Sequence, residues 1–366
     1  MVLREGALAP GELHLVAGRI APAGGARRFD ATGLLALPGL VDIHGDAHER
    51  CLEPRPGVGF EAGFALADAA QQCLAAGITT ACLGVTLSWE PGLRSIGTVR
   101  ALLAALEAPP PGPDLRVHLR FEADAFDAAE EALAAIAAGR IAVLGFNDHT
   151  PGILAKLDRP AELGKYAGRA GVAEAEFRAR AQAAAARRAE VPALRARLAA
   201  AARVAGVPML SHDDATREAR AVFRALGAAI CEFPMAEAVA LDARAHAEPV
   251  VMGAPNVVRG QSHLGWARAA PLAERGVVTV LASDHHWPAL PAAAFRLAAR
   301  GVLDLPSAWA LVSDNPARAL GLSDRGRIAE GLRADLVLAA PTGALKAVFV
   351  AGELAWLAPG AAARLG

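Results

Sequence analysis

Eight short β-like runs recur along this chain, separated by stretches rich in alanine. They are LALPGLVDIH (35–44), ITTACLGV (78–85), LRVHLRFE (115–122), IAVLGFND (141–148), VPMLSHD (207–213), AAICEFP (228–234), PVVMGAPN (249–256) and VVTVLASD (277–284). Helix-like pieces such as Gly63 to Ala76 and Leu93 to Ala108 stand between them. This alternation argues for parallel strands with helical crossovers. Eight such units predict an α/β chain folded as a (β/α)8 TIM barrel, whose catalytic groups come from the C-terminal ends of the strands. A length of 366 residues suits one large barrel with an appendage.

The two ends read differently from the middle. ELHLVAGRI at the front and RIAEGLRADLVLAAPTGALKAVFVAGELAW at the back are short β-like runs with turn glycines. Residues 1–36 and 322–366 are therefore expected to build one small β domain from both termini, flanking a barrel over 37–321. Residues 153–206 exceed a normal crossover and read as a helical insertion folded over the strand ends, its arginine-rich face a solvated helix surface.

Composition narrows the partners. The chain carries 37 basic against 38 acidic residues, so no global field recruits nucleic acid or anionic lipid, and any anion must be bound locally. No apolar run approaches the ~20 residues a membrane span needs, and the N-terminus lacks the basic-then-apolar pattern of a secretory signal. The expectation is a cytoplasmic protein, acting on a small molecule, with no membrane and with self-association left open. The cysteines at 51, 73, 82 and 231 show no C-x-x-C spacing, which argues for reduced thiols rather than a disulfide framework or a structural zinc site.

Ionisable residues fall where the barrel rule wants them. His44 and Asp46, Glu122, Asp148 and His149, His212 to Asp214, Glu232, Asn256 and Asp284 all end an apolar run or stand just beyond it. A single Asp there can be a helix N-cap, but histidine is not a preferred cap. Alternate side chains of an extended segment share a face, so His44 pairs with Asp46, and His118 and Arg120 pair with Glu122. Imidazoles and carboxylates converging on one point make a site for a divalent transition metal, and two such ions can share a bridging hydroxide. His44, Asp46, Glu122, His149, His212 and Asp284 supply six candidate ligands, with Asp148 and Asp213 as acceptors that orient imidazoles. The cofactor expected is one or two ions of zinc, manganese or iron, which such donors suit alike.

The LPGLVDIH strand, the Asp ending the eighth run and the ADLV segment with its paired β tail resemble the amidohydrolase superfamily. HGDAHERCLEPRPGV, HLRFE, NDHTPG, Lys165-Tyr166, SHDDAT, CEFP, MGAPNVVRG, Ser283-Asp284, DNPARALGL and DRGRIAEGLRADLVLA run in order across nearly the whole chain. Together they resemble, more narrowly, the PhnM family of diphosphatases in the carbon–phosphorus lyase pathway of phosphonate metabolism. That resemblance implies hydrolysis of α-D-ribose 1-methylphosphonate 5-triphosphate to the 5-phosphate and pyrophosphate. In such a reaction the metal lowers the pKa of a water, and Asp284 is placed to take its proton. Positioning and charge stabilisation dominate phosphoryl transfer, so Arg55, Arg259 and Lys165 are candidates for the polyphosphate path, with His263 in the loop after Arg259. The only lysines, at 156, 165 and 346, end no barrel strand, so a carboxylated lysine is a poor option and Glu122 or Asp148 would have to bridge two metals.

The chain departs from the family pattern in two places. After Ser283-Asp284 it has His285, His286 and Trp287 in place of further aromatics, and after Gly260 it reads Gln261, Ser262, His263, Leu264, Gly265, Trp266. These residues are expected to reshape the substrate pocket. Two other activities stay open: an amidohydrolase cleaving a C–N bond of a small cyclic or N-acyl substrate, and a non-catalytic metal- or ligand-binding barrel.

Overall fold

The computed structural model describes residues 1–25, 28–262 and 265–366. Eight parallel strands pair in sequence order: Leu40–Gly45, Ile78–Leu87, Asp114–Glu122, Val143–Asn147, Met209–His212, Ile230–Glu232, Val250–Gly253 and Val280–Ala282. They are buried on both faces, which is why they read as near-continuous apolar runs. The first and eighth strands meet only at their C-terminal ends. There the Asp284 amide donates to His44 O at 3.0 Å and the Asp46 amide to Asp284 O at 2.9 Å. Lower down, Leu311 and Val312 stand between them: Leu311 O accepts from the Leu281 amide (2.8 Å) and Val312 O accepts from the Val41 amide (3.0 Å). Closure at the C-terminal rim alone ties residues 44 and 46 to residue 284, and so fixes the first and last candidate ligands against each other.

The run LALPGLVDIH is not one strand. Leu35–Pro38 leaves the barrel and pairs antiparallel with Leu336–Ala339 and parallel with Val2–Arg4, inside a six-stranded sheet built from both chain ends. Gly39 is the break. Its amide donates to Asp335 O at 2.8 Å, and a Cβ there would lie 2.3 Å from Thr79 Oγ1 and 2.9 Å from Asp335 Cβ. Only glycine lets the chain cross that close to two elements while it changes sheets. The remaining strands of the end sheet are Ala7–Ala9, Leu345–Val350 and Glu353–Leu357, and a hairpin of His14–Val16 with Arg19–Ala21 stands beside it.

Helices cover the barrel. Ala62–Ala75 starts on Glu61, whose carboxylate accepts from the Gly63 and Phe64 amides, and Ile96–Ala105 starts on Ser95, which accepts from the Thr98 amide. The long segment after the fourth strand forms Thr150–Leu154, Pro160–Ala170, Glu174–Ala186 and Val191–Ala205. Its first three helices have a small core of their own around Ile153, Leu163, Ala167 and Phe177. Its arginines are not all solvated as the sequence suggested. Arg188 and Arg195 turn inward onto Asp148, and Arg169 reaches the buried Glu90. Those pairs pin the insertion to the ends of the second and fourth strands. All four cysteines are free and buried, and among the described residues no helix is long and apolar enough to cross a membrane.

Candidate metal centre

A cavity opens at the C-terminal face of the barrel, walled by His44, Asp46, Arg120, His212, Asp213 and Asp284 on the strand side and by Arg259, Gln261 and Trp266 on the outer side. His44 ends the first strand and is almost wholly buried. Its Nδ1 donates to Glu232 Oε1 at 2.9 Å, and Nδ1 of His212 donates to the other oxygen of the same carboxylate at 2.7 Å. One buried carboxylate therefore fixes two imidazoles in the tautomer whose free lone pair is on Nε2. Burial alone would raise the Glu232 pKa, but His44 beside it and the hydrogen bonds from the two imidazoles outweigh it and hold the carboxyl well below its usual range.

Glu122 does the same for the fourth strand. Its oxygens accept from the His149 amide (3.0 Å) and from His149 Nδ1 (2.5 Å). Burial lowers the His149 pKa, yet the Glu122 charge and the contacts with Asp213 and Glu122 push it up to about 9. The Nε2 atoms of His149 and His212 then converge on Asp213 Oδ2, at 3.7 and 3.5 Å. Asp213 and Asp284 both adopt the left-handed backbone region, with φ of 59° and 57°. Asp tolerates that conformation better than most residues, and the kink at each strand end is a cost of the kind that accumulates at functional sites.

Among the described residues, two triads could hold a cation: His149, His212 and Asp213, and, deeper, His44, His118 and Glu232. His118 lies mid-strand, edge-on to His44 with ring centroids 4.9 Å apart. It is fully buried, and neither ring nitrogen has a hydrogen-bond partner among the described residues. Burial pushes its pKa down to about 3, so it is a neutral imidazole. Imidazole nitrogens and carboxylates, with Nδ1 positions locked from behind, fit a divalent transition ion.

Several expected residues stand elsewhere or do something else. Glu122, expected as a ligand, spends both oxygens on His149 and stands behind it. Asp148, expected to orient an imidazole, is held by Arg188 at 2.7 Å and Arg195 at 2.8 Å instead, because the insertion brings both guanidinium groups to it. Asp213, expected behind the imidazoles, is in front of them. Glu232, outside the expected set, takes the orienting place; its signal was a carboxylate closing a buried strand. Arg55 is exposed in the loop after the first strand, and Lys165 is exposed and paired with Glu162 at 2.7 Å on the insertion. Neither lines the cavity, since a solvated cation gains nothing by turning inward. His263 lies outside the described residues.

Arg259 does line the cavity, at the end of the short helix Ala254–Arg259. Asn256, one turn earlier, donates to Ala267 O and accepts from the Ala269 amide, both at 3.0 Å, which holds the segment after Trp266 against the cavity wall. Of the residues departing from the family pattern, Gln261 and Trp266 reach the cavity wall, and His285 Nδ1 donates to Asp284 Oδ2 at 2.9 Å. Trp287 is buried in the core and His286 is exposed, so neither shapes the pocket wall.

The comparisons with known proteins agree with this geometry. The amidohydrolase family profile matches residues 65–347. The α-D-ribose 1-methylphosphonate 5-triphosphate diphosphatase of Escherichia coli (strain K12) is 35% identical over 320 residues, covering 85% of this chain and 84% of that protein. Among solved structures, the β-aspartyl dipeptidase of Fervidobacterium islandicum AW-1 has a TM-score of 0.61 at 15% identity, covering 96% of this chain and 94% of that one. Molinate hydrolase has a TM-score of 0.62 at 15% identity, covering 96% and 92%. At such identities the likeness is one of fold, whereas the profile and the Escherichia coli relative carry it to the sequence itself. The chain belongs to the amidohydrolase family.

Proposed function

We propose that this protein hydrolyses a phosphoanhydride bond of a phosphorylated sugar phosphonate, α-D-ribose 1-methylphosphonate 5-triphosphate, releasing pyrophosphate and leaving the 5-phosphate. The reading rests on one observation: metal-type donors and arginines wall the same cavity, in a chain 35% identical to a diphosphatase of that substrate. His149, His212 and Asp213 would hold a divalent ion, with His44, Asp46 and Asp284 at hand for the same ion or a second. Such an ion supplies Lewis acidity to a phosphoryl oxygen and acidifies a water so that it can attack near neutral pH.

The chain's own groups do the rest. Glu232 and Glu122 keep the imidazole lone pairs aimed forward. Asp284 accepts the attacking water's proton on its carboxylate as the oxygen bonds to phosphorus; the phosphoanhydride P–O bond breaks and pyrophosphate leaves with the electron pair. Its contact with His285 keeps one carboxylate oxygen oriented during that transfer. Arg259, at the outer wall, binds the polyphosphate, and Trp266 beside it limits water access from that side.

The test is a release assay on manganese- or zinc-loaded protein with the ribose phosphonate triphosphate. Stoichiometric pyrophosphate is expected. Turnover of cyclic amides or N-acyl compounds with indifference to the triphosphate would overturn the reading in favour of C–N hydrolysis.

A further inference from the structure

We infer that Arg120 is a direct contact of the phosphoryl group under attack, an inference that rests on the diphosphatase reading above. Arg120 lies on the third strand, two residues before Glu122 and on the same face, so its side chain enters the barrel mouth from within rather than from a loop. Only 6% of the residue is exposed, and it lines the cavity beside His44, Asp46 and His212.

The guanidinium is incompletely partnered. With the Asn147 amide turned so that its oxygen faces Arg120, that oxygen accepts from Nε (3.3 Å) and Nη2 (3.2 Å), and His212 Nε2 accepts from Nη2 at 3.1 Å. Nη1 has only the Asp46 carboxylate near it, at 3.6 Å, with no acceptor in hydrogen-bond reach among the described residues. Other deeply buried arginines here are closed off. Arg220 binds Glu248 at 2.7 Å, Ser211 at 2.6 Å and two backbone carbonyls, and Arg325 binds Asp114 at 2.6 Å. A buried cation lacking a hydrogen-bonded carboxylate is costly unless an anion completes it.

Room for this arrangement is built in. Gly84, on the neighbouring second strand, passes so close that a Cβ would lie 3.2 Å from Arg120 Cδ and 3.3 Å from His44 Nε2. The lone pair of His212 that Nη2 uses is also one of the donors proposed for the metal ion, so ion and guanidinium compete for it. With that lone pair taken, the guanidinium presents N–H groups from both Nη atoms to the cavity, the fork geometry that matches a phosphoryl oxygen pair. Arg120 then neutralises charge on the phosphoryl group close to the ion, and Arg259 does so further out.

The experiment uses full-length R120M and R120K, metal-loaded, with inorganic pyrophosphate as the probe. Calorimetry measures pyrophosphate affinity, and chelator competition measures metal affinity. The expected result is that R120M binds pyrophosphate about 10- to 100-fold more weakly than wild type, the loss of a charged hydrogen-bond partner, with R120K between them. Metal affinity in R120M is expected to be unchanged or tighter, because a competing cation is gone; a purely structural arginine would loosen His212 and weaken the metal. Pyrophosphate binding that is equal in wild type and R120M, or absent from wild type, overturns the inference, as does loss of metal from both variants. Triphosphate hydrolysis by wild type is read separately. If wild type turns over no triphosphate but binds pyrophosphate through Arg120, the diphosphatase reading falls and Arg120 stands only as a phosphate-binding group of the cavity.

Discussion

The two mouths of the barrel both carry buried charge, and they use it in opposite ways. At the N-terminal mouth, Arg325 binds Asp114 at 2.6 Å, Thr80 at 2.9 Å and Asp324 at 2.9 Å, while Arg116 takes the same Asp114 oxygen at 2.8 Å. Each cation there closes on a carboxylate, and the network fastens the segment leading into the end sheet to the second and third strands. At the C-terminal mouth, carboxylates hold the imidazoles from behind, their Nε2 atoms converge on Asp213, and Arg120 has no carboxylate in hydrogen-bond reach among the described residues. A closed network holds parts of the chain together. One with donor capacity left over is built to be completed by something else.

Mutations at the two mouths should therefore separate activity from stability. The largest effect is expected from Asp284→Asn, which removes the proposed proton acceptor and keeps the shape. Hydrolysis should fall about 10²- to 10⁴-fold, the usual range for a general base, with the thermal midpoint unchanged. A variant that keeps its rate would transfer the base role to another carboxylate. Next comes Glu232→Gln, where an amide cannot accept from both His44 and His212. Metal affinity should drop about 10- to 100-fold, as for other partners that orient ligand imidazoles, read by chelator competition. Glu122→Gln touches His149 alone and should cost less; equal losses from the two would break the view that one carboxylate serves two imidazoles.

How far the sequence discloses this contrast depends on the range of the interaction. The eight strands were legible because each is apolar along its own length, and His44, His212 and Asp284 were legible because they end those runs. The break at Gly39 was not, since it depends on Thr79 and Asp335 arriving from distant segments. Asp148 looked like a neighbour of His149, but arginines 40 and 47 residues further on claim it. Asp213, expected behind the imidazoles, stands in front of them, and Glu232, given no role, stands behind, because side-chain direction at a strand end is set by the local backbone dihedral, which for Asp213 is left-handed. Arg120 was placed on the right face with Glu122, yet nothing local says that a mid-strand arginine will lack a closing carboxylate.

At the N-terminal mouth the expected effects are smaller and fall on stability. Asp114→Asn keeps the volume but removes the charge that Arg116 and Arg325 share, leaving the largely buried Arg325 with Asp324 and Thr80 alone. A loss of about 1–3 kcal/mol is expected in urea unfolding, between the values for exposed and fully buried pairs, with pyrophosphate release per folded molecule unchanged. Reduced turnover at full occupancy of the folded state would mean that the two mouths are coupled.

The smallest effect is its acid dependence. Burial raises the Asp114 pKa, but the hydrogen bond and charge of Arg116 and the charge of Arg325 outweigh it, so the folded value lies below the ordinary 3.8. A carboxyl with a depressed folded pKa contributes stability that is full above its unfolded value and fades as pH falls through the folded one. Wild type should therefore lose this contribution only below about pH 4, and Asp114→Asn, with no carboxyl to protonate there, should show a shallower decline over that interval. Parallel acid-unfolding curves for the two proteins would mean that Asp114 is not held by its arginines, and the N-terminal network would then not be the closed counterpart of the candidate metal centre.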